Sequence, residues 1–320
     1  MDIVTPVVFM IFNRPHLTER VFKAIAQAKP TKLFVVADGP RDGQVDDIKK
    51  CAAARTIIEE INWDCEVIKN YADTNLGCKR RISSGLDWVF SKVEEAIILE
   101  DDCLPAPSFF YFCQTLLEHY RYDGRVTHIG GSNFQFGTSK TNYSYYFSQY
   151  PPVWGWATWR RAWQYYDVDM KTWPGYKKSN MVFSAWKDPY ERKYWIDTLD
   201  CMFEGKIDTW DYQWHYACLR QNGLAIIPKT NLISNIGFGS VESTHCVETS
   251  PYADLPTTDI WEIKHPSFVM SDRKADNYIF YHNHGGNQMR ERDTLKWKII
   301  QYFSIIKKKL KNLINTGLLK

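Results

Sequence analysis

The 320-residue sequence predicts an α/β fold around a central, mainly parallel sheet. Three observations lead there. Short apolar runs at residues 6–12, 33–37 and 96–99 have the length of buried strands and are too short for helices. Segments with helical apolar spacing separate them. Each run ends abruptly in polar, loop-forming residues, so the carboxyl ends of the strands form one shared rim.

In chain order, residues 6–12 form a strand closed by Asn13-Arg14-Pro15. Residues 17–28 read as a helix, with Leu17, Val21, Ala24, Ile25 and Ala28 on one face, Thr18 as its cap and Pro30 beyond its end. A strand at 33–37 stops at Asp38-Gly39-Pro40, a turn signature. A helix over 45–61, a strand over 65–70, a turn at Asn75-Leu76-Gly77 and a helix over 82–93 follow.

The run Ala96-Ile97-Ile98-Leu99 then breaks into Glu100-Asp101-Asp102. A buried strand cannot hold three carboxylates in its interior, because unpaired buried charge is costly. They belong at its carboxyl end, where repulsion is relieved by donors or by a cation. Oxygen-only ligands suit Mg²⁺ or Mn²⁺, which bridge to substrate phosphates. The plain alternative is a solvated acidic turn.

Beyond the acids, residues 109–120 read as a helix, and 126–129 and 143–147 as strands. In Val153-Trp154-Gly155-Trp156-Ala157-Thr158-Trp159, Gly155 lets aromatic walls and backbone approach a ligand closely. Residues 160–165 begin a helix, and 167–190 read as a loop or lid. Helices are expected over 191–204 and from about 208 to 221, stopped by Asn222-Gly223, then a strand over 224–228. Residues 246–275 are loop-rich and 282–287 turn-like.

Residues 294–320 differ in kind, with seven lysines, no acid, and apolar residues at helical spacing from Leu295 to Ile314. A basic amphipathic helix reads as an anchor for an anionic membrane surface; the alternative is a helix docked on protein. The expected organisation is a catalytic unit over 1–290 and this helix over 294–320. The unit divides into a nucleotide-binding half (1–105), an acceptor-binding half (106–245) and a loop-rich part (246–290).

Composition bounds the function. A net charge of +3 gives no global pull towards nucleic acid. Thirteen Trp and nineteen Tyr suit ring-stacking surfaces and cores alike. No signal peptide or spanning apolar stretch is visible. Eight cysteines without Cys-x-x-Cys spacing read as reduced thiols, and the expected location is the cytoplasmic face of the membrane.

Four motifs in order carry a family resemblance: Glu100-Asp101-Asp102 after a strand, Leu104-Pro105-Ala106-Pro107-Ser108-Phe109-Phe110, the Val153–Trp159 motif, and Trp210-Asp211 leading to Ile236-Gly237-Phe238-Gly239. Together they resemble GT-A fold (Rossmann-like nucleotide-diphospho-sugar) glycosyltransferases, most of all the N-acetylglucosaminyltransferase I group and its bacterial relatives, over residues 5–245. The resemblance implies transfer of a sugar from a UDP-sugar, with N-acetylglucosamine or a related sugar as donor. The acceptor would be a hydroxyl of a glycan or lipid-linked precursor. Mn²⁺ or Mg²⁺ would be the cofactor.

By the same resemblance Asp102 is the direct metal ligand, with Glu100 and Asp101 nearer the ribose and donor sugar. Asp38 meets the uracil, Asn13 and Arg14 face the nucleotide, and Asp211 is the general base of an inverting displacement.

The residues themselves allow this chemistry. A carboxylate takes a proton within hydrogen-bond reach, and the start of a helix keeps Asp211 ionised. Arg80 or Arg81 can clamp a diphosphate, or be ordinary helix-start cations. Trp154, Trp156 and Trp159 can face sugars, or pack a core. His245 can touch metal or diphosphate; His282 and His284 lack a partner set. The rival readings are a nucleotidyltransferase, a non-catalytic glycan-binding protein, and a retaining transferase. The first is disfavoured by an N-terminal loop, Phe12-Asn13-Arg14-Pro15-His16, that has no glycine.

Overall fold

In the computed structural model, residues 2–138, 141–238 and 250–294 are described, together with 299, 302 and 303. His245, Gly239 and almost all of the expected C-terminal helix lie outside the described residues.

The apolar runs become strands because every side chain in them is shielded on both faces. β1 (Val7–Ile11) is buried throughout, β2 (Lys32–Ala37) nearly so, and β4 (Glu95–Glu100) is buried from Ala96 to Leu99. β3 (Glu66–Tyr71) flanks β2 at the sheet edge. β1 pairs in parallel with β2 and β4, and β2 with β3. Three helices make the crossovers: α1 (Pro15–Ala28), α2 (Val45–Ile57, extended by a 3-10 turn to Glu60) and α3 (Gly77–Phe90).

The chain then adds β5 (Cys103–Pro105), α4 (Phe109–His119), β6 (Val126–Gly130), β7 (Tyr145–Ser148), β8 (Trp156–Trp159) and α5 (Arg160–Trp163). Next come α6 (Trp173–Lys178), α7 (Met181–Ala185), α8 (Pro189–Phe203), α9 (Asp211–Arg220), β9 (Leu224–Pro228) and β10 (Ile233–Asn235). α10 (Arg273–Tyr278), a π-helical turn (Ile279–Asn283) and α11 (Gly286–Arg292) complete the described elements.

The main sheet has the order β3-β2-β1-β4-β8-β6-β9-β7. Four of its seven pairings are parallel (β1–β2, β1–β4, β2–β3, β6–β9) and three antiparallel (β4–β8, β6–β8, β7–β9). The α/β expectation with a mainly parallel sheet is met, and the one sheet runs through both expected halves. β5 and β10 form a small antiparallel pair, with Asn235 opposite Cys103.

Alternation along β1 splits the core between two faces. Val7, Phe9 and Ile11 pack with α1 and α4, whereas Val8 and Met10 pack with α3 and a tryptophan group, Trp156, Trp163, Trp210 and Trp214. A third cluster gathers Tyr150, Trp173, Trp186, Trp195 and Phe280. Fully burying a large apolar side chain contributes about 1.5–3 kcal/mol.

Several expectations are corrected. β8 was not foreseen. Thr18 does not cap α1, which begins with Pro15 at its first position; the Thr18 hydroxyl donates to the Arg14 carbonyl at 3.0 Å from within the helix. α3 begins at Gly77, five residues before the apolar spacing suggests, because its first turn faces a polar rim. Residues 167–190 are not an open loop: they form α6 and α7, Trp173, Val182 and Trp186 are buried, and Trp173 Nε1 donates to Asp200 Oδ1 at 2.9 Å. The expected turn at 282–287 is present only at His284 and Gly285, between the end of the π-helical turn and the start of α11, and His284 is drawn into the third cluster's aromatic rings.

Candidate active site at the strand ends

Four strand-end segments meet at one rim. β1 ends in Phe12-Asn13-Arg14, and proline at the first turn of α1 fixes Arg14 at the helix entrance. From there Arg14 spans the acid triplet after β4. Its Nη1 donates to Asp102 Oδ2 at 2.9 Å and its Nη2 donates to Asp101 Oδ1. The Phe12 N–H donates to Asp101 Oδ2 at 3.3 Å. Burial works against the Arg14 charge, but Asp101 and Asp102 outweigh it and hold its pKa above the ordinary value.

The three acids therefore differ in role. Asp101 is 2% exposed, with both oxygens engaged by Arg14 and Phe12. It braces β1 against β4 and does not reach towards a donor sugar, a correction to the expectation. Glu100 and Asp102 are only half-buried. Burial, then the Asp102 charge, pushes the Glu100 carboxyl up to about 8, with Asp101 and Asp211 adding to the rise. Four carboxylates thus share one electrostatic site with one arginine.

Asp38, at the end of β2, accepts from the Gly39 and Leu76 N–H groups, each at 2.9 Å, and from Asn75 Nδ2 at 2.9 Å. Its carboxylate ties β2 to the loop entering α3. Burial raises its pKa, and the Leu76 and Gly39 N–H groups pull it down. Asn13 donates to Asp47 Oδ1 at 2.7 Å, and Asp47 also binds Arg41 Nε at 2.6 Å. Asn13 is thus an internal brace.

Arg81 is buried and donates to the Ala37 carbonyl at 3.1 Å and Asn70 Oδ1 at 2.8 Å, so it clamps strand ends rather than a diphosphate. Arg80 is exposed beside Asp169, at 3.4 Å. Cys78 is exposed but lies in the field of Glu100, Asp211, Asp208 and Asp102, and crowding by the surrounding atoms, then these charges, raises its thiol above the ordinary value.

Asp211 opens α9, and the Thr209 hydroxyl donates to its Oδ1. It sits on the wall of a cavity of about 360 Å³. Trp154, Tyr212, Tyr252, Tyr150, Trp195 and His215 are also on that wall. Trp154 meets Phe238 edge to face at 5.7 Å between ring centres.

The rest of the tryptophan motif faces inward. Gly155 has φ +58°, and a Cβ there would lie 2.3 Å from Ile233 Cδ1, so glycine serves close packing. Trp156 is wholly buried, stacked on Trp210 at 5.6 Å and on His128 at 5.1 Å. Trp159 is buried, with Nε1 donating to the Leu117 carbonyl at 3.2 Å. Of the two readings open for them, Trp156 and Trp159 take core packing and do not face a sugar site.

The rim is closed by the β5–β10 pair. The Ile236 N–H donates to the Asp102 carbonyl at 2.8 Å. A Cβ on Gly237 would stand 2.6 Å from Asp102 Oδ2 and 3.2 Å from Arg14 Nη1. The Gly237-Phe238 loop thus lies directly against the acid that sequence puts forward as metal ligand.

Among the described residues no three His, Cys, Asp or Glu side chains form a ready metal cage. The donor set nevertheless fits a hard divalent ion. Mg²⁺-type sites use one or two carboxylates and complete the shell with phosphate and water. Glu100 and Asp102 supply oxygens whose mutual repulsion such an ion would relieve. His245 lies outside the described residues.

Sequence reasoning missed His215 and the tyrosines of the cavity. One signal was available: Asp211 and His215 are four apart on α9, hence on one helix face.

No family model and no curated protein matches the chain. Solved structures with some likeness include a UDP-glucose pyrophosphorylase complexed with UDP-glucose, at 9% identity and TM-score 0.30, covering 51% of this chain and 78% of that one. A 4-diphosphocytidyl-2C-methyl-D-erythritol synthase from Anaerococcus prevotii is 11% identical with TM-score 0.30, covering 56% of this chain and 78% of its own. The apo form of mouse xyloside xylosyltransferase 1 is 11% identical with TM-score 0.31, covering 67% and 81%.

Proposed function

We propose that the protein is a metal-dependent inverting glycosyltransferase. It moves a sugar, N-acetylglucosamine or a relative, from a UDP-sugar to a hydroxyl of a glycan or lipid-linked acceptor. One observation carries this reading. Half-buried Glu100 and Asp102 share a rim with Asp211, and Asp211 also lines an aromatic cavity. One side of the rim suits a diphosphate and its cation, and the other suits a ring with a hydroxyl to deprotonate.

Asp102 and Glu100 would hold Mn²⁺ or Mg²⁺, which when bound offsets charge on the departing diphosphate. Arg14 is a positioning residue: it fixes Asp102 and Asp101 from one guanidinium. Asp211 accepts the acceptor's proton as the new bond from the acceptor oxygen to the anomeric carbon forms. The old bond to the phosphate oxygen breaks, and its electron pair leaves with UDP. The Thr209 hydroxyl orients the Asp211 carboxylate for that transfer.

No helix among the described residues is long and apolar enough to cross a membrane. The proposal adds an anionic membrane surface as the partner of residues 294–320, on the strength of their seven lysines and absence of acid. Co-sedimentation with anionic vesicles, with and without those residues, tests that part.

A panel of nucleotide sugars, each with Mn²⁺, tests the core of the reading by thermal denaturation, since a ligand that binds only the native state raises its stability. A UDP-sugar is expected to raise the Tm only when Mn²⁺ is present. Stabilisation by a nucleoside triphosphate and a sugar phosphate, with none by UDP-sugars, would replace it with a nucleotidyltransferase.

A further inference from the structure

The aromatic cavity has a chemistry of its own. Its wall is built from three directions. The loop before β8 supplies Trp154, α8 and α9 supply Trp195, Tyr212 and His215, and the C-terminal helical turn supplies His284. Tyr252 packs edge to face against Phe134 at 5.3 Å and against Trp154 at 6.4 Å between ring centres, so the three rings form one continuous aromatic wall.

Two features of this wall select a ligand. Flat rings present themselves at several angles, which suits the alternating C–H faces of a pyranose. The charge is also one-sided. Among the described lining residues there is no Lys or Arg, and the one carboxylate is Asp211.

The two imidazoles do not supply a cation. Burial pushes the His215 ring down to about 3, and His284 beside it adds to the fall. Burial lowers His284 to about 4. His215 lies flat on Trp195 at 4.1 Å, and its Nε2 has no hydrogen-bond partner. His284 Nδ1 pairs with the Tyr194 hydroxyl at 3.2 Å. Burial thus disfavours a charge on either ring, and the described wall holds no Lys or Arg to pair with a carboxylate or phosphate on a ligand.

We infer that this cavity binds an uncharged pyranose, the terminal ring of the acceptor, by stacking on Trp154 and Tyr252 with Asp211 at its edge. The inference deepens the transferase reading and rests on it for the word acceptor. It also chooses between acceptors. A neutral glycan end fits, whereas a phosphate or uronate placed in the cavity meets Asp211 and no cation.

Ligand-observed NMR on the intact protein without nucleotide tests this. The probes are methyl glycosides of glucose, galactose, mannose and N-acetylglucosamine, set against methyl glucuronoside and a hexose phosphate. At least one neutral glycoside is expected to bind, and at least about tenfold more tightly than either anion. Trp154→Ala and Tyr252→Ala should each weaken that binding about tenfold, consistent with stacking worth 1.4 kcal/mol or more. Tyr252 is only half-buried, so its variant keeps the test open should Trp154→Ala fold poorly. Tighter binding of either anion, no binding of any neutral ring, or undiminished binding by both variants would overturn the inference. Failure here alongside Mn²⁺-dependent UDP-sugar stabilisation sinks the cavity assignment alone. Loss of the UDP-sugar response sinks the transferase reading instead.

Discussion

Arg14 Nη1 lies 2.9 Å from Asp102 Oδ2, so the last residue before α1 is bonded to the acid beyond β4. The same guanidinium holds Asp101, which is almost wholly buried. Arg14→Gln leaves the buried Asp101 and the half-buried Asp102 without their cation. Breaking such a pair costs about 3–5 kcal/mol. Thermal unfolding is expected to show that loss, and added Mn²⁺ should raise the variant's Tm by more than the wild type's. Equal metal responses would separate Arg14 from the metal-binding acids.

Asp211 lies on the cavity wall, and its oxygen is oriented by Thr209. Asp211→Asn keeps the shape and removes the basicity. Transfer is expected to fall about 10²–10⁴-fold in kcat. The Tm rise given by UDP-sugar with Mn²⁺ should survive. A variant with wild-type kcat rules Asp211 out as base.

Gly237 has no room for a methyl group: a Cβ would be 2.6 Å from Asp102 Oδ2 and 2.9 Å from Asp102 Cβ. In Gly237→Ala, Asp102 is displaced. Small-to-large changes cost about 1–3 kcal/mol in stability. Activity should suffer more, by about a hundredfold, because misplacement by an ångström disrupts catalytic geometry. Steady-state kinetics beside urea unfolding gives both quantities.

Asp276 provides a pH test away from the rim. Burial raises its carboxyl to about 7, against the pull of the Ser148 hydroxyl and the Gln149 N–H. The folded state therefore holds a proton that the unfolded chain releases near pH 4. The stabilisation is complete below about pH 4 and is lost as pH rises through about 7, by an amount on the order of 4 kcal/mol. Urea midpoints should fall between pH 5 and pH 7.5, and Asp276→Asn should flatten that fall.

The strand ends were legible because an apolar run that breaks into acids admits few structures. β1, β2 and β4 lie where the sequence puts them, within one or two residues. β8 was hidden because Trp156-Ala157-Thr158-Trp159 is buried on both faces, so no polar alternation marks it. Trp154 and Trp156 are two apart and of one type, yet one lines the cavity and the other is sealed in the core. That difference comes from Gly155, whose positive φ turns the chain between them. The sequence did not separate Asp101 from Glu100 and Asp102, because the triplet leaves β4 in a turn and the burial of Asp101 depends on the Phe12 N–H and the Arg14 guanidinium brought in from β1. His215 could not stand out, because an imidazole pressed on tryptophan leaves no mark beyond its helical spacing from Asp211.

The β4–β8 pairing has a mechanical consequence. Ile98 is in register with Trp156, two residues from Glu100 on one strand and two from Trp154 on the other. The pairing is antiparallel, so the acid rim and the cavity wall leave the same end of one hydrogen-bonded ladder. No hinge separates them, and a single-residue slip of that ladder would turn every side chain of β8 to the opposite face. The two halves of the reaction keep their alignment by sharing a seam, and unzipping that seam would abolish both at once.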